Sequence, residues 1–137
     1  MEDVTQQKGM FSWFELMTSD VEASKAFYGA LLGWHFETMK DAGMDYTLVR
    51  VEGVPQPIAG MFDKSLADAE NTEHIPTHWG SYITVDDVDA CTARVQALGG
   101  SVIVPPKDIP DIGRFSVIQD PQGAVVSLIT YLKAPTA

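Results

Sequence analysis

Basic residues are scarce in this chain: nine lysines and arginines stand against nineteen aspartates and glutamates, a formal net charge of -10. Nucleic acid and anionic membranes both require a basic face, so neither is expected as a partner. Cysteine is scarcer still. The single Cys91 excludes an internal disulfide and any multi-cysteine metal cluster, which fits a reducing, cytoplasmic setting. Its place on the apolar stripe of a helical segment predicts a buried, inert thiol. Histidine contributes only His35, His74 and His78, too scattered to make a site by themselves. No apolar run approaches the roughly 18 residues of a membrane span. The opening MEDVTQQKGM lacks the apolar segment of a signal peptide, so an unexported protein is expected.

What is present is an apolar fraction of 45% in 137 residues, enough for one globular core shared along the whole chain, residues 1–137. The sequence also repeats itself. FSWFELMTSDVEASKAFYGALLGW, residues 11–34, has an echo in SYITVDDVDACTARVQALGGS, residues 81–101, at an offset of 67 positions. Asp20 falls on Asp87, Val21 on Val88, Ala23 on Ala90, Ala30 on Ala97 and Gly33 on Gly100. A fixed offset of this kind marks two copies of one supersecondary unit.

Each copy reads as strand, helix and three further strands. Residues 11–18 are apolar over a strand's length and predict a strand buried on both faces, with Trp13, Glu15 and Met17 on one side. Ser19 to Glu22 fits a capping box, with the serine oxygen as cap, and the helix it opens should end at Gly33. Val21, Ser24, Tyr28 and Leu31, widened by Phe27, form the face expected to pack on a sheet. Strands follow at 34–39, 46–51 and 58–62, with a turn at 40–43. The acidic stretch 64–77 reads as a linker, with a helical turn near 66–70, and a mobile flap or a crossover both suit it.

In the second copy a strand at 79–85 precedes a helix capped by Asp86 and running to Leu98, with Gly99 and Gly100 as its stop. Strands at 101–104, 113–119 and 124–131 complete it, with Pro105, Pro106 and Pro110 in an extended connector and a turn at 120–123. Residues 1–9 read as a loose arm and those from Lys133 as a dispensable tail. The modules are thus bounded at about 10–63 and 78–132.

The order βαβββ written twice, together with TSDVEASKAFYGALLGW, VDDVDACTARVQALGG and GRFSVIQDPQGAVVSL, resembles the vicinal oxygen chelate superfamily. This is the group of glyoxalases, bleomycin-resistance proteins and extradiol dioxygenases. The resemblance covers residues 11–131 and implies an α+β fold: an incompletely closed eight-stranded barrel of two modules around a concave pocket, often as a homodimer. In metal-dependent members, four inward side chains, usually His and Glu, hold a divalent ion that acts as a Lewis acid. Carried onto this chain by the cap aspartate and the DPQG turn, the resemblance puts those positions at Trp13, Gly60, Gly80 and Ser127. None of the four is a good ligand for a divalent ion.

The expectation is therefore a pocket with no cofactor, lined by Trp13, Glu15, Met17, Arg50, Gly60, Gly80, Tyr82, Arg114 and Ser127. Trp13 and Met17 filling the barrel as plain core is the other reading of the same residues. A buried Glu15 needs a partner on either view, and Arg50 and Tyr82 are the candidates. Three functions follow. The first is a metal-free protein that binds a small organic molecule. The second is a glyoxalase-like lyase or isomerase, or a dioxygenase, whose metal would be held by Glu15 and His78, each two residues from a ligand position. The third is a structural or regulatory dimer with a vestigial pocket.

Overall fold

The computed structural model describes residues 6–41, 44–66, 75–109 and 112–132. The predicted helical turn near 66–70, His74, the middle of the turn at 40–43, Pro110 and the tail from 133 fall wholly or largely outside these residues. Eight strands of one mixed sheet and two α-helices make up the fold, which is α+β. In order they are β1 (Phe11–Thr18), α1 (Val21–Leu32), β2 (His35–Asp41), β3 (Met44–Arg50), β4 (Ala59–Asp63), β5 (His78–Thr84), α2 (Val88–Ala93), β6 (Ser101–Ile109), β7 (Gly113–Gln119) and β8 (Val125–Tyr131). The chain divides into two compact units, Trp13–Gly80 and a second made of Ser81 onward with the segment up to Ser12.

In the Trp13–Gly80 unit the strands run in the order β2-β3-β4-β1, with β1 parallel to β4 and the other neighbours antiparallel. Leu16, Val49, Ala59 and Met61 form its core beneath α1, with Val21, Tyr28, Trp34, Phe36 and Ile58 packed around them. Met61 and Val49 have no exposed surface. Burial of each stabilises the unit by about 1.5–3 kcal/mol relative to leaving it in water. The strand β1 is fully buried only toward its C-terminal end, with Trp13, Glu15 and Met17 half-buried. Leu16 and Thr18 are covered by α1, whereas Phe14 and Phe11 are exposed, so the expectation of a strand buried on both faces does not hold.

The helix α1 starts one residue later than its capping box suggests. Asp20, extended at φ -153°, is the N-cap, and its carboxylate accepts from the Ala23 N–H at 3.0 Å. Ser19 stays outside, its own N–H donating to Thr77 Oγ1. Gly33 closes the helix in the left-handed conformation at φ 74°, which only glycine adopts at little cost, and its N–H donates to Gly29 O. The packing face is narrower than its periodicity predicts. Val21, Ser24 and Tyr28 face the sheet, but Phe27 and Leu31 are exposed. Thr18 takes up Ser24, hydroxyl to hydroxyl at 2.8 Å.

The other unit repeats the plan as β5-β8-β7-β6, with β5 parallel to β8. Its core is Val85, Val88 and Leu128, with Ile83, Cys91 and Ile118 against them. Cys91 is half-buried here. The register repeats as well: Glu15 pairs with Gly60 in one unit and Tyr82 with Ser127 in the other, both partners shifted by the same 67 positions as the sequence. The cap of α2 is Asp87, not Asp86, and accepts from the Ala90 N–H at 3.1 Å.

The α-helix ends at Ala93, and a 3-10 turn at Gln96–Leu98 takes the place of its predicted last turns. Thr92 gives the reason. Its hydroxyl back-bonds to Val88 O at 2.6 Å and meets Ser116 Oγ at 2.8 Å, a pairing that pulls the helix toward β7. The predicted connector after residue 104 is part of the strand β6 instead. Its pairing with β7 shifts register between Val102 and Val104 and again between Val104 and Lys107, which carries the ladder past Pro105 and Pro106. Gly9 and Met10 are tied to Thr84 by backbone hydrogen bonds of 2.8 Å, so the described end of the N-terminal segment is no loose arm.

Candidate functional site

Because side chains alternate along a strand, the core residues fix which face each candidate occupies. In the Trp13–Gly80 unit Leu16, Val49, Ala59 and Met61 point toward α1. Trp13, Glu15 and Met17 on β1, Gly60 and Phe62 on β4, and Tyr46, Leu48 and Arg50 on β3 share the opposite face. This face carries the chemistry.

Three side chains there form one directed hydrogen-bond chain. The Trp13 indole N–H donates to Tyr46 Oη at 2.9 Å, and Tyr46 Oη–H donates to Glu15 Oε2 at 2.7 Å. An indole nitrogen can only donate, so the phenolic proton is committed to the carboxylate and the order cannot be reversed. The Tyr46 ring stands over Gly60. A Cβ built on Gly60 would collide with the hydroxyl and ring carbons of Tyr46. The ring also stacks with Phe62, centroids 6.1 Å apart and planes 26° apart, and Phe62 is the register partner of Met17. The result is an aromatic cluster of half-buried Trp13 and Tyr46 and buried Phe62 around one carboxylate.

Tyr46, absent from the sequence-based candidates, is thus the residue that organises this face. It stands in YTLVRV at even spacing with Arg50, so alternation alone puts it beside a residue already assigned there. It also supplies a partner for Glu15, a role for which Arg50 was one candidate. Arg50 turns to β2 instead, where its Nε donates to Glu37 Oε2 at 2.8 Å. His35, an exposed residue, is the register partner of Arg50.

His78 and Gly80 lie at the start of β5. The His78 ring is oriented by a 2.7 Å contact between Nδ1 and Pro76 O. A carbonyl only accepts, so Nδ1 carries the proton and Nε2 is the acceptor in the neutral ring. A Cβ at Gly80 would sit 4.0 Å from that Nε2 and 3.9 Å from Glu15 O, which is ordinary contact. Position 80 therefore has room for a side chain, and position 60 does not.

In the other unit Tyr82 and Ser127 are register partners on the face turned away from α2. Tyr82 is buried and lies 6.3 Å from the ring of Phe115. Tyr131 Oη and Ser12 Oγ, 2.7 Å apart, share this face. Arg114 does not. It lies on the α2 side, where Nε and Nη2 donate to Asp89 Oδ2 and Oδ1 at 2.7 and 3.0 Å, and Nη1 to Asp108 at 3.0 Å. The hydrogen bonds from Arg114 hold the Asp89 carboxyl below its ordinary value, and those from Asp89 and Asp108 raise the guanidinium further.

Three of the four positions that the resemblance assigns to metal ligands bring no side-chain ligand for a divalent ion. The Trp13 nitrogen is a donor already engaged by Tyr46, Gly60 is closed to any side chain while Tyr46 stands over it, and Gly80 offers none. Among the described residues no three His, Cys, Asp or Glu side chains converge.

Residues 10–128 match the model of the Glyoxalase/Bleomycin resistance protein/Dioxygenase superfamily, and the chain belongs to that family. Among its relatives is CFP32 of Mycobacterium tuberculosis, a protein that bears the name glyoxylase. It is 35% identical over 127 residues, 92% of this chain and 46% of that protein. The anthracycline biosynthesis protein DnrV of Streptomyces peucetius is 33% identical over 88% of this chain and 46% of its own length. The chain thus spans about half the length of these relatives. The fold is also that of the Streptomyces coelicolor methylmalonyl-CoA epimerase solved with 2-nitronate-propionyl-CoA, at a TM-score of 0.63 and 16% identity over 96% of this chain and all of that one.

Proposed function

We propose that this family member binds a small organic molecule with an aromatic surface, without a catalytic metal, on the face built by Trp13, Tyr46 and Phe62. The observation that carries the reading is the Tyr46 ring over Gly60, with Trp13 and Glu15 bonded to its hydroxyl. Of the positions to which the resemblance assigns ligands, one carries the Trp13 ring and another, Gly60, lies under the Tyr46 ring. Apolar and aromatic side chains around few polar groups are the usual composition of an organic-ligand site. The relation to an anthracycline biosynthesis protein supports a planar, polycyclic ligand class. In this reading Glu15 orients a donor group of the ligand while the rings supply stacking surface, and the protein works in the cytoplasm as a homodimer.

The test is a fluorescence titration with an anthracycline and with a non-planar molecule of similar size. Saturable quenching by the planar probe, lost in Trp13→Phe and weakened in Tyr46→Ala, is the expected result. Equal and non-saturating response to both probes would refute it. Titration with Ni, Co, Mn, Zn and Fe(II) salts accompanies it. Stoichiometric uptake with micromolar or tighter affinity would overturn the metal-free part.

A second reading rests on His78. Its Nδ1 bond to Pro76 O sets Nε2 as an acceptor, the arrangement that orients histidines in metal sites. A metal-dependent lyase, isomerase or dioxygenase built on Glu15 and His78 predicts chelator-sensitive turnover of a 2-oxoaldehyde thiohemiacetal or a catechol. Turnover that survives replacement of both residues excludes it.

A further inference from the structure

The two glycines that flank Glu15 on the face turned away from α1 are not equivalent. Gly60 on β4 is the register partner of Glu15, and the Tyr46 ring takes the space where its side chain would begin. Gly80 lies on β5, the strand on the other side of β1, and its side-chain space is open. Among the described residues, a Cβ there would meet only Glu15 O at 3.9 Å and His78 Nε2 at 4.0 Å. The missing side chain leaves a notch beside an imidazole.

His78 belongs to the same face. Trp79 turns toward α1, its indole N–H donating to Tyr28 Oη at 3.0 Å, so the residues on either side of it, His78 and Gly80, project to the side of Trp13 and Glu15. The His78 ring is half-buried, and Nδ1 is committed to Pro76 O at 2.7 Å. That bond fixes the neutral ring with Nε2 as an acceptor bordering the notch. Among the described residues no donor reaches Nε2.

We infer that the notch at Gly80 holds a hydroxyl on the edge of the aromatic ligand, donated to His78 Nε2, so that the site selects phenols. The inference rests on the reading of this face as an aromatic-ligand site and names the group that the ligand must carry. Both atoms that border the notch, His78 Nε2 and Glu15 O, are acceptors, so a carboxylate or phosphate is turned away and a donor is required. The space freed by a glycine is that of a single heavy atom, which a hydroxyl fits and a methoxy group does not. A phenol is also a stronger donor than an aliphatic alcohol, and it lies in the plane of the ring that bears it. His78 is therefore a specificity-determining residue, with Pro76 O as the group that sets its tautomer.

Calorimetric titration of the full chain with 2-naphthol and with 2-methoxynaphthalene, in the presence of EDTA, tests this. The naphthol should bind about 10-fold more tightly, the worth of one hydrogen bond and its unmade counterpart. His78→Leu should abolish the preference. So should Gly80→Ala, which fills the notch through ordinary contacts and should leave the thermal melt unchanged. Equal, saturable binding of both probes to the wild type overturns the inference and leaves the aromatic-ligand reading standing. Saturable binding of neither removes that reading, and the inference with it. A naphthol preference that survives either substitution places the hydroxyl elsewhere and overturns the inference. A preference seen only without EDTA does so too, since a metal on His78 would then carry it.

Discussion

The phenol of Tyr46 occupies the space in which a side chain at position 60 would begin. This relationship makes glycine at 60 a packing requirement, and it can be broken from either side. Gly60→Ala forces the Tyr46 ring off Phe62 and away from its two hydrogen-bond partners. It should destabilise the protein by about 1–3 kcal/mol, the usual cost of overpacking. In a Tyr46→Ala background the same change should cost much less, because the obstructing ring is gone. Urea denaturation of the four proteins in the cycle checks this, and additive costs would mean that the two positions do not meet.

Tyr46→Phe keeps the ring and removes the hydroxyl. The stacking on Phe62 survives, while the Trp13 N–H loses its acceptor and Glu15 loses one donor. The expected loss of stability is about 1–3 kcal/mol, since a partly buried polar group is left without its bond. The emission of the indole should shift as its N–H environment changes. A Trp13→Phe control separates that signal from those of Trp34 and Trp79. An unchanged spectrum together with unchanged stability would count against the Trp13–Tyr46–Glu15 chain.

How much of this was legible in the sequence follows from which forces act locally. The offset that carries Asp20 to Asp87 located the module plan, and the structure shows that the pair Glu15 and Gly60 and the pair Tyr82 and Ser127 obey the same offset. Gly33 announced a helix end because its left-handed backbone is a local property. The partner of Glu15 was not legible in the same way. Tyr46 reaches it across a neighbouring strand, and the choice between Arg50 and Tyr46 depends on Glu37, which captures the arginine. The exposure of Phe27 and Leu31 was hidden because a periodic stripe shows only that a face is apolar, not what covers it. Arg114 was drawn to α2 by Asp89, an attraction between residues 25 apart in sequence.

Each helix has two adjacent candidates for its cap, and the structure chooses the second in both. Asp20→Ala and Asp87→Ala should each destabilise by about 1 kcal/mol, the ordinary loss of an N-cap. Ser19→Ala and Asp86→Ala should stay within about 0.5 kcal/mol, as surface changes away from such features do. Thermal melts of the four single variants check the pattern. The opposite ranking in either pair would return the cap to the residue that the sequence first suggested.

The contact of Arg114 with Asp89 gives a pH dependence whose sign can be worked out. The two hydrogen bonds from the guanidinium keep the Asp89 carboxyl below its ordinary 3.8 in the folded chain. A carboxyl depressed on folding adds stability at pH values above 3.8, and that contribution disappears as pH falls through the folded value. Both groups are largely exposed, so the contribution is screened and small. The direction is measurable even so. In Arg114→Met the Asp89 carboxyl should return upward toward 3.8, read from its side-chain carbon resonance in an NMR titration, whereas Asp108→Asn should leave it nearly in place because the two bonds from Arg114 to Asp89 remain. The acid limb of the stability curve should become shallower in Arg114→Met and stay close to wild type in Asp108→Asn. An Asp89 titration that is the same in all three proteins would show that the ion pair does not persist in solution.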